Sequence, residues 1–321
     1  MTNRLICTQM TSSGSMLLAV ALQAAALCGC GGASSSGTGD TGDSSSSGTT
    51  SSGTDGAGGS TTTSNSTSAS TSASSSASGS SSSSSAVDQH GALTVKGNRI
   101  VDKNGMPVQL RGMSLFWSQW SGAFYNASLV KSLAKDWHAT LIRAAMGIES
   151  GGYLEHPADE KARVKTIVDA ATAEGIYVII DWHDHNANSH TQQSKDFFTE
   201  MAKTYGQQPN VIFEVWNEPD NVPAPGDTWP QIKSYAEEVL GAIRGAGASN
   251  LVVVGTSTWS QDVDIAANDP ITKFQNVAYT LHFYAGQPEH KQPLRNKAKA
   301  ALDKGIALFT TEWGTCAASG S

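Results

Sequence analysis

Cysteine is scarce where it would shape a fold. The 321-residue chain has four, Cys7, Cys28, Cys30 and Cys316, and three of them precede the part able to build a core. The single thiol left excludes an internal disulfide framework and any zinc site made from two or more cysteines. No His-x-x-x-His pair suggests another metal, and no cofactor is called for. No glycine-rich loop follows the first strand candidate, so a dinucleotide-binding sheet lacks its fingerprint. Residues 33–85 have no aromatic side chain, no Lys and no Arg, and only Asp40, Asp43 and Asp55 carry charge. Such a stretch cannot bury enough apolar surface to offset its ordering entropy, so residues 31–87 are expected to form a flexible Ser/Gly/Thr-rich tether. With Arg4 and those three Asp set aside, 20 basic and 25 acidic residues remain. That balance argues against a nucleic-acid partner and fits a neutral polymer.

Long apolar runs are missing too. The longest, MLLAVALQAAAL at 16–27, has the length of a signal-peptide core and is too short to span a bilayer. It leads into Leu27-Cys28-Gly29-Cys30 and the Gly/Ser-rich tether, which resembles a bacterial lipoprotein box. That resemblance implies a signal peptide over 1–30, export, and a lipid anchor on Cys30 as the only membrane contact. Cys28 is unusual inside such a box, and Arg4 is the only positive charge before it. The alternative is ordinary secretion.

From Gly91 the texture changes to short apolar runs alternating with amphipathic stretches, the pattern of repeated βα units. The opening LTVKGNRIVDKNGMPVQL (93–110) reads as a hairpin turning around Lys103-Asn104-Gly105 and plugging one end of the domain. Buried-strand candidates follow at 108–115, 139–146, 176–183, 210–218, 250–256, 276–284 and 306–314. Helical stretches lie between them, with Gly175 and Gly245 placed as stops. The expected fold class is α/β, a (β/α)8 TIM barrel with seven βα strands encoded over 88–321. The seventh strand ends close to Ser321, so the domain is expected to be a barrel incomplete at its carboxyl end, left with open edges.

Arg143, His183, Asn217, Glu218, His282, Tyr284 and Glu312 all fall at or just past the carboxyl ends of strand candidates. In a barrel those ends converge on the face where active sites are built. Glycoside hydrolysis with retention needs one carboxylic acid and one carboxylate about 5 Å apart. Glu218 and Glu312 end two apolar strands distant in sequence and are the pair best placed for this. Arg143, with the Tyr284 hydroxyl, would keep Glu312 ionised, while Glu218 with fewer cations could hold a proton.

The strings WNEP (216–219), TEWG (311–314), ATLIRAAM (139–146), DWH (181–183) and LHFYA (281–285) together resemble glycoside hydrolase family 5. SGGY (150–153), YAEEVLGAIR (235–244) and VGTSTWSQDV (254–263) point within it to bacterial endo-β-1,4-glucanases. The resemblance implies Glu218 as acid/base, Glu312 as nucleophile, Arg143 and Tyr284 orienting Glu312, and Asn217 on the sugar 2-hydroxyl. It also implies His183 and His282 at the cleavage subsite, Trp120 and Trp259 stacking on glucose rings, and a β-glucan as substrate of a monomeric enzyme. Mannan, mixed-linkage glucan or xyloglucan hydrolysis, or glucan binding without turnover, are the rival readings. Leu115 and Phe116 stand where many relatives carry a His, and Gly147 where a Tyr is frequent. Asp181 is expected to be a structural partner of nearby groups, His185 and His190 to face solvent, and Trp137 to pack in the core.

Overall fold

The computed structural model describes residues 84–220 and 227–320; the signal-peptide reading, Cys30 and nearly all of the expected tether lie outside them. Chain order begins with helix α1 (Ala86–His90), a hairpin of β1 (Thr94–Lys96) and β2 (Arg99–Val101), and β3 (Gly112–Ser114). Then come α2 (Ala127–Lys135), β4 (Leu141–Gly147), α3 (Pro157–Glu174), β5 (Tyr177–His183), α4 (Thr191–Tyr205), β6 (Val211–Glu214) and α5 (Trp229–Gly245). The remainder comprises β7 (Val252–Val254), α6 (Ser257–Ser260), α7 (Val263–Ala266), β8 (Val277–Thr280), β9 (Phe283–Tyr284), α8 (Gln292–Asp303), β10 (Leu308–Phe309) and β11 (Trp313–Gly314).

Seven strands form one parallel sheet in the order β10-β8-β7-β6-β5-β4-β3, and β11 pairs with β9 in a short parallel ladder beyond it. Among the described residues this is the (β/α)8 barrel architecture with seven strands, open between β3 and β10. β4 and β5 are buried along their whole lengths, as expected for strands covered on both faces. Their side chains alternate between two cores. Ile142, Ala144, Met146, Val178, Ile180 and Trp182 face the helices. Leu141, Tyr177, Ile179, Ile212, Val253 and Ala278 face inward, where Val95 and Ile100 of the hairpin pack on them. The same parity points Arg143, Asp181 and Glu214 into the interior at the carboxyl ends.

Helix boundaries follow local chemistry. Asn126 caps α2 by accepting from Leu129 N at 2.9 Å, and Thr228 with Gln231 makes a capping box on α5. Gly175 ends α3 in the left-handed conformation, φ 68°, which costs a glycine nothing in Cβ contacts. Gly245 is different: it is the last residue of α5, with Ala246 as the cap.

Other expectations need correction. The hairpin turns at Gly97-Asn98 between β1 and β2, while Lys103-Asn104-Gly105 makes a second turn closed by the bridge from Val101 to Pro107. Gly97 at φ 59° supplies the positive dihedral a two-residue hairpin loop needs. Trp137 lies beyond the end of α2 and is 59% exposed. The long strand expected over 276–284 breaks after Thr280, where His282 N turns away to Ser260 O at 2.9 Å.

Candidate active site

The carboxyl ends of the strands hold one buried cation among several acids. Arg143, 1% exposed on β4, spreads its guanidinium over five partners. Nε donates to Glu214 at 2.7 Å, Nη1 to Glu312 at 2.9 Å and to Ser114 Oγ at 3.1 Å, and Nη2 to Asn217 Oδ1 at 2.7 Å. Nη2 also pairs with Asp181 at 2.9 Å. A planar fork of donors suits this division of labour better than an ammonium would. Tyr284 on β9 donates its hydroxyl to Glu312 Oε1 in a short hydrogen bond. Glu312 is thereby held from two directions, with each oxygen taking one donor.

Glu218 is held differently. It stands past the end of β6, its backbone still laddered to Asp184 O at 3.4 Å. Its Oε1 meets His282 Nδ1 at 2.8 Å, and His282 Nε2 meets Thr311 Oγ1 at 2.8 Å. Thr311 passes its hydroxyl hydrogen to Glu214 at 2.6 Å, so His282 Nε2–H must be the donor to Thr311. Nδ1 then either accepts from a protonated Glu218 or, as imidazolium, donates to its carboxylate. Ligating atoms of Glu218, His282 and Glu312 all lie within 4.8 Å of one another.

Protonation follows from crowding three acids around one arginine. Burial pushes Asp181 up to about 7, against the pull of Arg143, and burial likewise raises Glu214. Burial works in the same direction on Glu312, yet the charges of His282 and Arg143 and the Tyr284 bond outweigh it and bring Glu312 down to about 2. Like-charge repulsion and burial favour a proton on Asp181, which leaves Glu312 ionised. Burial, with Arg143 nearby, drops His183 to about 3, so it is neutral and bonds Asp181 through Nδ1 at 2.7 Å. For His282 burial lowers basicity, but the bond and charge of Glu218 win and raise it. Burial and Glu312 push the Tyr284 hydroxyl far up, fixing it as a donor.

All seven strand-end residues named from the sequence therefore meet at one centre. The two tryptophans do not touch it directly through any ring contact. Trp120 is 44% exposed beside Trp117. Trp259 sits in a turn where Thr258, Trp259 and Ser260 all have positive φ, strain that is costly for residues with a Cβ. The turn is tied down by Trp259 N to Pro219 O at 2.9 Å and Ser260 Oγ to Asn217 O at 2.7 Å. Asp181 is the partner of His183, as read. His190 is not solvent-facing: its Nδ1 meets Asp184 at 2.8 Å. Glu214, Thr311 and Ser114 were missed. A fully buried Glu in the run VIFE, in phase with Ile212 on the inner face, was the available signal for Glu214.

The family model for Cellulase (glycosyl hydrolase family 5) matches residues 101–321. The chain belongs to glycosyl hydrolase family 5. Endoglucanase Z of Dickeya dadantii is 51% identical to this family 5 chain over 234 residues, covering 71% of it and 53% of that protein. The chain spans about half the length of the curated relatives it matches. A solved Cytophaga hutchinsonii structure shares 54% identity with a TM-score of 0.71, covering 74% of this chain and 76% of that one. The catalytic domain of Thermobifida fusca endoglucanase Cel5A, solved in complex with cellotetraose, is 34% identical with a TM-score of 0.68, covering 74% and 78%.

Proposed function

We propose that this family 5 chain is a retaining endo-β-1,4-glucanase, with Glu218 as acid/base and Glu312 as nucleophile. The observation that carries the reading is the separation of the two carboxylates, whose nearest oxygens lie within 4.8 Å. Retaining enzymes hold the pair about 5–5.5 Å apart, whereas inverting ones need roughly 6.5–9.5 Å to admit a water between them. Endoglucanase relatives at about half identity support the substrate class.

In the first step a Glu312 oxygen attacks the anomeric carbon while Glu218 gives its proton to the departing glycosidic oxygen. A bond to Glu312 forms, the glycosidic bond breaks, and the freed chain leaves with a new hydroxyl. In the second step Glu218, now a carboxylate, takes a proton from water, whose oxygen displaces Glu312 and restores the original anomer. Arg143 and Tyr284 keep the nucleophile ionised and aimed, and His282 keeps a proton within reach of Glu218. Asn217 spends its carbonyl oxygen on Arg143, so its NH2 group is the donor left for a sugar hydroxyl. Trp120 and Trp259 provide apolar surface for the pyranose faces, whose rims are polar.

NMR of the first product from a cello-oligosaccharide gives the decisive reading, because β anomer appearing before α means retention. Early α product would sink the assignment. Release of reducing ends from carboxymethylcellulose rather than from mannan separates glucanase from mannanase. Export on a lipid anchor at Cys30 belongs to the same proposal, since a long tether lets a surface-bound enzyme reach an insoluble polymer. Fatty-acid labelling lost in Cys30→Ala would support it, and unlabelled secreted protein would favour simple secretion.

A further inference from the structure

Thr258, Trp259 and Ser260 are three successive residues in the left-handed region, at φ 57°, 53° and 57°, each with a Cβ that disfavours it. A run of this kind persists only where its surroundings over-determine it. Here the run grips two backbones. Trp259 N donates to Pro219 O at 2.9 Å and the buried Ser260 Oγ to Asn217 O at 2.7 Å, so Glu218 is held by both of its chain neighbours. Ser260 O accepts from His282 N at 2.9 Å, and Ser260 Oγ accepts from Thr256 N at 3.3 Å. One residue therefore ties together the segments that follow β6, β7 and β8. Glu218 Oε1 and His282 Nδ1 lie 2.8 Å apart, and both residues hang from this turn. There is little slack beneath it: a Cβ on Gly255 would lie 2.4 Å from Trp216 O and 2.9 Å from Pro219 Cδ.

Asp262 closes the turn with its side chain. Oδ2 accepts from Thr258 Oγ1 at 2.7 Å and from Ser257 Oγ at 3.1 Å, while Oδ1 accepts from Lys297 Nζ on α8 at 2.5 Å. Three donors converge on one nearly buried carboxylate, and two of them belong to the turn. Burying a charge is costly, and a hydrophobic side chain of similar volume would serve packing as well. A carboxylate at this position is explained by what it holds, since Thr258 opens the strained run.

We propose that Asp262, clamped by Lys297, is a positioning residue for the acid/base: it keeps the 258–260 turn strained, and the turn sets Glu218 against His282. The inference rests on the reading of Glu218 as acid/base. A proton donor works only within hydrogen-bond reach of the oxygen it serves. Relaxation of the turn would carry Asn217-Glu218-Pro219 away from His282 and leave Glu312 on Arg143 and Tyr284.

Aryl β-cellobiosides separate the two glutamates in the full chain. Phenolate leaves poorly and needs the proton of Glu218, whereas dinitrophenolate departs as the anion, and kcat/KM follows this first step for both. Asp262→Ala is expected to lower kcat/KM roughly 10- to 100-fold for the phenyl glycoside and by less than about threefold for the dinitrophenyl one. Lys297→Met, at a side chain 38% exposed, should split the substrates in the same direction by a smaller factor. It decides the question if Asp262→Ala does not fold. Glu218→Ala is the reference for complete loss of the acid. If Glu218→Ala shows the split, equal losses on both substrates in the folded Asp262 and Lys297 variants, or no loss on either, overturn the positioning role alone. Equal losses in Glu218→Ala overturn the acid/base reading and the positioning role with it. A wild type that cleaves neither glycoside nor cellotetraose overturns the glycosidase reading itself.

Discussion

Arg143 is a single cation facing Asp181, Glu214 and Glu312, and that imbalance decides where protons reside. Tyr284 contributes by donating to the charged form of Glu312, which lowers its pKa; removing the donor must raise it. Tyr284→Phe is therefore expected to move the acid limb of kcat/KM upward by roughly one pH unit, the equivalent of a weakened charge-assisted bond. A profile carried down past the Glu312 pKa of about 2 checks this, and an unmoved limb would mean the hydroxyl does not hold the nucleophile. Glu214 acts one step further from the reaction by orienting Arg143 Nε and Thr311. Glu214→Gln keeps the shape and loses a charged acceptor worth about 1.5–3 kcal/mol, so kcat should fall roughly 10- to 150-fold with little change in KM. A drop confined to KM would assign Glu214 to substrate binding instead. Glu214 was hard to read from sequence because it sits inside an apolar run with no motif of its own. Glu218 and Glu312 were legible because short polar strings ended such runs.

At the scale of elements, the candidates at 139–146 and 176–183 correspond to β4 and β5 within one or two residues. These strands are buried on both faces and paired on both sides, so their composition and their structure report the same environment. Elsewhere apolar runs overstated strand length. In 306–314 the ladder breaks between Leu308–Phe309 and Trp313–Gly314, because residues 310–312 deliver Thr311 and Glu312 to the centre rather than hydrogen bonds to a neighbour. The hairpin turn was misplaced because Gly97-Asn98 and Asn104-Gly105 are both competent turn pairs, and only the packing of Val95 and Ile100 selects the first. β3 illustrates a constraint invisible in the sequence. A Cβ on Gly112 would lie 1.7 Å from Leu141 O on β4, a backbone atom that cannot move without parting the two strands. Gly112→Ala should cost about 3 kcal/mol and lower the Tm by roughly 6–12 °C. It should also weaken activity, since Ser114 on the same strand accepts from Arg143. A melting curve superimposable on wild type would show that β3 has slack to accommodate the methyl group.

For the described molecule as a whole, the sheet has two unequal regions. β4 and β5 share seven register pairs at its centre, whereas β10 holds β8 by two and β3 holds β4 by three. Neither β3 nor β10 has a second neighbour in the sheet, and β3 is exposed at all three residues. Local opening free energy follows buried contact and pairing on both sides, so amide exchange should be slowest in β4, β5 and β6 and at least ~100-fold faster in β3 and β10. Exchange resolved by residue in dilute protein checks the ordering. Unpaired strand edges also recruit other chains, which bears on the expectation of a monomer. If protection of β3 and β10 rises with protein concentration while β5 is unchanged, a second copy covers those edges and the monomer expectation fails. Concentration-independent fast exchange leaves the edges in water, and the nucleophile-bearing segment after β10 is then anchored to the centre by the β9–β11 ladder, by Thr311 on His282 and Glu214, and by Arg143 and Tyr284 on Glu312.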